Sequence, residues 1–417
     1  MNHRAKPNLS RLGRDVLFFN LTDPGKYVLT ALAMATLTGS LTLSIPVYHV
    51  FVGMVCLWLI SFLASVPFRP KVSVEGDFPP RVIAGRAFTG EFRVTNESRR
   101  PALDLSLGVY PLPVGMRQVE PVASVPQLAR GQTVRLSMKL QARRRGVYSI
   151  DGPRPFTTFP FNLRRNGPPP RRGRSVIALP EFHPLLHVDI PAQARHQPGG
   201  IALTSNIGES PEYIGNREYR PGDSTRRIDF RAWARLAQPA VKEYQEEYYC
   251  RIALVLDTFI DSPWWRPRRL IYPNLEAAVS LSAAVADALS RGEYIIDIFA
   301  AGPELYVFRA GRHTTHFENV LEILAGVGPC RRNPFEIVTP ALADELSNIS
   351  SVICVLLDWD APREQLVRRA AEAGCAPKVL IVRDGPTSLP IAGAELWGYS
   401  VTQLTPADVR RGALEVL

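Results

Sequence analysis

The sequence predicts a multidomain chain in which an N-terminal transmembrane helical hairpin is followed by a β-sandwich and then by an α/β unit with a parallel sheet. Three observations carry this: two long uncharged apolar runs near the N-terminus, a series of short alternating runs after Lys71, and buried-strand runs alternating with amphipathic helices beyond Cys250. At 417 residues the chain exceeds one ordinary core and suits a membrane segment with two or three soluble units.

The first apolar run extends from Tyr27 to Ile45 and the second, after Pro46, from Val47 to Phe68. Each is long enough to cross a hydrocarbon core of about 30 Å, which requires roughly 20 helical residues, with Pro46 marking the break. A basic tail, 1–26, carries Arg4, Lys6, Arg11, Arg14 and Lys26, while Arg69 and Lys71 follow the second run and the connection has no Lys or Arg. By the positive-inside rule, both ends face the cytoplasm of a two-pass inner-membrane protein. The preceding polar segment and the second run argue against a cleaved signal peptide.

Residues 71–181 alternate as VSVEG, GEFRVTN, TVRLSMKL and GVYSIDG between turn residues, the pattern of a sandwich. It closes with a Pro- and Arg-rich stretch, Leu163 to Arg174, that reads as a solvated or lipid-facing loop. That stretch interleaves no aromatic residue with its cations, which disfavours nucleic acid. A basic nucleic-acid scaffold using Arg164, Arg165, Arg171 and Arg172 remains an alternative, consistent with the formal charge of +10 from 49 basic and 39 acidic residues. Anionic lipid accounts for the same excess. The five cysteines are scattered without metal spacing and read as reduced structural thiols.

Residues 182–249 form a linker and an Arg-rich segment, and 250–417 form the α/β unit. Its strands IALVLD, YIIDIFAAG, SSVICVLLD and PKVLIVRD alternate with helices such as LEAAVSLSAAVADALSRG and PREQLVRRAAEAG. Ligands of such sheets bind at the carboxyl ends of the strands, here carrying Asp257, Asp358 and Asp360.

The segment NREYRPGDSTRRIDFRAWARLAQPAVKEYQ, with Arg217, Glu218, Tyr219, Gly222, Asp223, Arg226, Asp229 and Arg235, resembles the signature of family 58 of the domains of unknown function. Arg144-Arg145-Gly146-Val147-Tyr148 is similar to that family's Arg-Arg-Gly-x-Tyr. The resemblance implies a von Willebrand factor A-like C-terminal domain and a MoxR-type AAA+ ATPase as partner; it implies no biochemical activity. Physically, Arg227, Arg231 and Arg235 share one face if the stretch is helical and need carboxylates, from an internal ion-pair network or an acidic partner, with Phe230 and Trp233 as apolar anchors.

Metal-binding von Willebrand A-like domains present Asp-x-Ser-x-Ser after the first strand. Here the turn reads Asp257-Thr258-Phe259-Ile260-Asp261, where Phe259 cannot ligate. Asp257, Asp261 and Asp358 are remnant positions, so no cofactor is expected, Mg²⁺ being the one candidate; a metal-dependent enzyme using these carboxylates is the alternative. The following loop, with Trp264, Trp265 and Arg266, holds residue types that dominate interfaces and is the expected partner contact. Walker, His-Glu-x-x-His and Gly-x-Ser-x-Gly motifs are absent, so the expectation is a non-catalytic, membrane-anchored protein-interaction module in complex assembly or the cell envelope.

Overall fold

Alternation of apolar and polar residues governs the strands of the N-terminal half. In Ala87–Asn96 and Thr133–Ala142, which pair antiparallel, alternate side chains turn inward, including buried Phe92, Val94, Met138 and Leu140. The computed structural model describes residues 20–41, 45–169, 173–190, 213–221, 223, 225–244, 251–260, 272–291, 295–301, 305–309, 317–343, 345–346, 349–391 and 399–417. The chain divides into two units, the first Met1–Glu181 with Glu318–Val327, the second Phe182–Phe317 with Gly328–Leu417.

The first unit is β-rich. A four-stranded sheet and two three-stranded sheets enclose one apolar core, to which Phe92, Leu105, Leu140, Ile150 and Val176 contribute. The Arg-Arg-Gly-Val-Tyr stretch acts locally: Gly146 takes φ +145°, which favours glycine, and Tyr148 Oη donates to the carbonyl of Arg144 at 2.8 Å. Arg145 donates to the carbonyls of Leu324 and Val327 at 3.0 and 2.9 Å, satisfying the C-terminal end of helix Phe317–Gly326. Arg81 pairs with Glu318 and Glu322 on the same helix.

Two helices, Asp23–Leu41 and Ile45–Ser65, precede the β-rich part and pack against each other. Among the described residues one stretch, Tyr48–Phe68, is long and apolar enough to cross a membrane, and it is mostly exposed. The other helix starts at Asp23, so Asp23 and Lys26, joined at 2.7 Å, occupy its first turn and shorten its uncharged length.

The loop at Thr158–Asn166 departs from the solvated reading of Leu163 onward, because Leu163 is buried and the loop binds the ends of both helices. Thr22 N donates to Leu163 O at 3.3 Å, Arg165 N to Asn20 O at 2.9 Å and Arg165 Nη1 to Leu21 O at 2.8 Å. At the end of the second helix, Asn166 Nδ2 donates to Ser65 O at 2.6 Å, and the Phe68 and Phe159 rings meet edge-on at 4.7 Å. Main-chain groups just before the first helix and at the end of the second thus find partners in one loop.

The second unit holds a six-stranded sheet in the order Leu305–Arg309, Ile295–Ala301, Arg251–Leu256, Ser351–Leu356, Ala376–Val382, Ser400–Leu404. Five strands run parallel and Leu305–Arg309 is antiparallel at one edge. The central strands are buried throughout, as expected where helices such as Pro273–Arg291 and Ala361–Glu372 cover a parallel sheet. The strand order reverses between Arg251–Leu256 and Ser351–Leu356, so the crevice of the sheet opens beside Asp257 and Asp358.

Candidate functional site

Asp257 ends the first strand of the parallel sheet, and both its oxygens are committed. Oδ1 accepts from Phe259 N at 2.8 Å; Oδ2 accepts from Leu357 N at 2.8 Å and from Arg363 Nε at 2.7 Å. Arg363 lies in the first turn of helix Ala361–Glu372, whose N-cap, Asp360, accepts from Arg363 N at 3.1 Å. The guanidinium also pairs with Asp360, donates to Phe259 O at 3.2 Å, and lies over the rings of Phe259 and Phe335 at 5.3 and 5.2 Å.

This ion pair is almost dry, its side chains 3 % and 0 % exposed. Burial pushes the Asp257 carboxyl up, against the pull of Arg363 and the two backbone donors. Desolvation likewise acts to lower the Arg363 pKa, but Asp257 and Asp360 outweigh it and hold the pKa above its usual value. The neighbouring Cys354 thiol is pushed up to about 12 by burial and by Asp257. A fixed guanidinium therefore supplies the positive charge at the carboxyl end of the central strands.

Asp358 and Asp360 diverge around buried Trp359 and serve different arginines. Asp358 accepts from Trp359 N at 2.8 Å, Ser388 N at 2.9 Å and Ser388 Oγ at 2.6 Å, and pairs with Arg383. Desolvation opposes ionisation of Asp358, yet these donors hold its carboxyl below the usual range. Thr258 Oγ1 is buried and without a hydrogen-bond partner, and no cluster of three metal-ligating side chains occurs among the described residues.

Of the expected site residues, Asp257 and Asp358 are thus brought to one sheet edge. Asp261, Trp264, Trp265 and Arg266 lie outside the described residues, as do Gly222 and Ser224. The arginines that pair with these carboxylates, Arg363 and Arg383, were not singled out from the sequence. The spacing Asp360-x-x-Arg363 at a helix start was the available signal, since it sets a cation beside an N-cap carboxylate.

The Arg-rich segment forms an antiparallel ribbon, Tyr213–Glu218 with Ala240–Tyr244, carrying a 3-10 turn, Thr225–Arg227, and a short helix, Phe230–Leu236. Asp229 caps the helix by accepting from Arg231 N and Ala232 N, both at 3.0 Å, which places Arg227 outside the helix that carries Arg231 and Arg235. Arg217 grips Asp223 with two bonds at 2.7 and 2.8 Å, and Asp223 also accepts from Arg220 N at 2.8 Å. The Arg217 hydrogen bonds, with that of Arg220, lower the Asp223 carboxyl to about 2.

Glu218, Arg226, Arg231 and Arg235 are exposed and make no ion pair among the described residues, while Tyr219 is half-buried. Phe230 and Trp233 do not anchor the segment internally. They stack on each other at 6.0 Å on the outer face, 68 % and 39 % exposed, with Leu236 beside them in the helical repeat. The buried position of this short helix is instead taken by Ala232.

A parallel α/β sheet whose edge carboxylates are neutralised by arginines, joined to a β-rich unit and an apolar helix, defines the class of this chain. The model of the family described as "Protein of unknown function DUF58" matches residues 215–393, covering the ribbon and most of the sheet and supporting the resemblance drawn from its signature. No curated protein matches the chain. Among solved structures, native alpha-2-macroglobulin from Escherichia coli is 14 % identical over 28 % of this chain and 18 % of its own, with a TM-score of 0.22. The SrpA adhesin from Streptococcus sanguinis is 14 % identical over 28 % of this chain and 65 % of its own, at 0.18. The matched part thus spans less than two thirds of either protein.

Proposed function

We propose that this chain is a membrane-anchored, non-catalytic interaction module whose signature helix docks an acidic cytoplasmic protein. The observation that carries the reading is the stacked Phe230–Trp233 pair, exposed beside Arg231 and Arg235, which make no ion pair among the described residues. An exposed aromatic pair bordered by arginines fits an apolar cleft rimmed by carboxylates. The family resemblance makes a MoxR-type AAA+ ATPase the candidate partner, with complex assembly or cell-envelope processes as the setting.

The internal commitment of Asp257 and Asp358 supports the non-catalytic part of the reading, and no observation favours the metal-enzyme alternative. The strand order with its antiparallel edge supports a von Willebrand A-like description of the α/β unit. One loop binding the outer ends of both N-terminal helices supports a two-pass hairpin with its ends on one face of the membrane.

The test is titration of the solubilised full chain with purified MoxR-type ATPase. Wild type binds, more weakly as salt rises, and Phe230→Ala/Trp233→Ala loses at least tenfold in affinity while melting unchanged. Equal binding by wild type and variant removes this surface from consideration, and no binding by either removes the proposed partner.

A further inference from the structure

Arg164 differs from its neighbour Arg165. Arg165 is spent on Leu21 O and on the rings of Tyr110 and Phe156, whereas the Arg164 guanidinium has no carboxylate partner among the described residues. It lies over the Phe62 ring at 4.5 Å, half-buried. Burial lowers its pKa, and among the described residues no anion offsets that desolvation.

Phe62 belongs to an apolar face of the spanning stretch: Leu59, Phe62, Leu63 and Val66, at the i, i+3, i+4, i+7 positions, are 43 to 63 % exposed. Phe62 also lies within two turns of Phe68, the last residue of that stretch, which is about 9 Å at 1.5 Å per residue. That is the depth at which a long basic side chain reaches the headgroup boundary while its stem stays on apolar surface.

We propose that Arg164 seats an anionic phospholipid, its guanidinium paired with the lipid phosphate and an acyl chain lying along Leu59, Phe62, Leu63 and Val66. The inference rests on the membrane reading above and adds a specific lipid site to it. A cation with no carboxylate partner among the described residues, set beside an exposed apolar helix face, suits a ligand that is anionic at one end and hydrocarbon at the other. An acidic protein would satisfy only the first requirement, and free phosphate likewise.

The experiment uses the full chain in a neutral detergent, with phosphatidylglycerol, phosphatidylcholine or inorganic phosphate added and the melting temperature followed. Phosphatidylglycerol should stabilise wild type and Arg164→Lys, while phosphatidylcholine and inorganic phosphate should not. Arg164→Gln should need about fivefold more phosphatidylglycerol, the contribution of one basic residue beside an anionic leaflet. An undiminished response in Arg164→Gln, equal stabilisation by phosphatidylcholine, or reproduction by inorganic phosphate overturns the proposal. If Arg164→Gln does not fold, the lipid selectivity of wild type and Arg164→Lys decides. Release of the chain from membranes by alkaline carbonate overturns the membrane reading itself, whereas a retained but lipid-indifferent chain overturns this inference alone.

Discussion

Replacing Arg363 by Met leaves the Asp257 carboxylate, with its side chain wholly buried, facing only two backbone donors. Methionine keeps most of the stem volume, so the loss is electrostatic: the 2.7 Å bond to Asp257, the pairing with Asp360 and the 3.2 Å bond to Phe259 O. Breaking a buried pair on one side costs about 3–5 kcal/mol because the remaining charge is uncompensated. For a unit of this size that is a drop of roughly 10 °C in melting temperature. Hydrogen exchange in the Ser351–Leu356 strand reads the local effect directly, since Leu357 N is bonded to Asp257.

The double variant Asp257→Asn/Arg363→Met carries neither buried charge and should recover at least about 2 kcal/mol relative to the sum of the single changes. Strict additivity of the two changes, or a cost below about 1 kcal/mol for Arg363→Met, would refute the account of this pair as a closed, dry charge centre.

Asp223 has a folded pKa lowered to about 2, below the unfolded value of about 3.9, so its stabilisation of the ribbon is complete above that value and disappears as pH falls towards 2. Amide exchange over 213–244, corrected for intrinsic rates, should therefore quicken below about pH 4; Asp223→Asn should exchange fast already at neutral pH, and a flat wild-type profile would contradict the pairing. Cys354, its thiol pushed up to about 12 and its side chain fully buried, should resist iodoacetamide until the chain is denatured; native labelling at the denatured rate would show the site to be open. A Cβ on Gly25 would lie 1.9 Å from Leu163 O, a backbone atom that cannot turn aside. Gly25→Ala should thus cost about 1–3 kcal/mol in the solubilised chain, and a change below about 0.5 kcal/mol would mean that this approach is not close in solution.

The strands were legible from their burial pattern: the alternation in Ala87–Asn96 marks its inner face directly, and the apolar run Val352–Leu356 marks a strand covered on both sides. The carboxylates at the sheet edge were legible too, because strand ends in an alternating α/β pattern are fixed by the pattern. Their partner was not, since Arg363 and Asp257 are 106 residues apart and nothing local in either stretch names the other. The ribbon was ambiguous for a different reason. Phe230 and Trp233 have the composition of an anchor, and only the packing of Ala232 beneath them decides which face of the helix is outward. From Leu163 onward the Pro- and Arg-rich composition suggested solvation, whereas the donors and acceptors that matter at Leu163–Asn166 are largely main-chain atoms, which composition does not report.

Helix Phe317–Gly326 lies late in the chain yet belongs with the β-rich unit, its first turns paired with Arg81 and its last carbonyls with Arg145. Neither unit is therefore a contiguous cassette. A recombination joint placed after Glu181 would import a foreign helix whose acidic start and carbonyl end must suit two arginines inherited from the other parent. Exchange of C-terminal halves among homologues should tolerate divergence at the sheet far better than divergence in this one helix, and a minimal graft must carry Arg81 and Arg145 along with it.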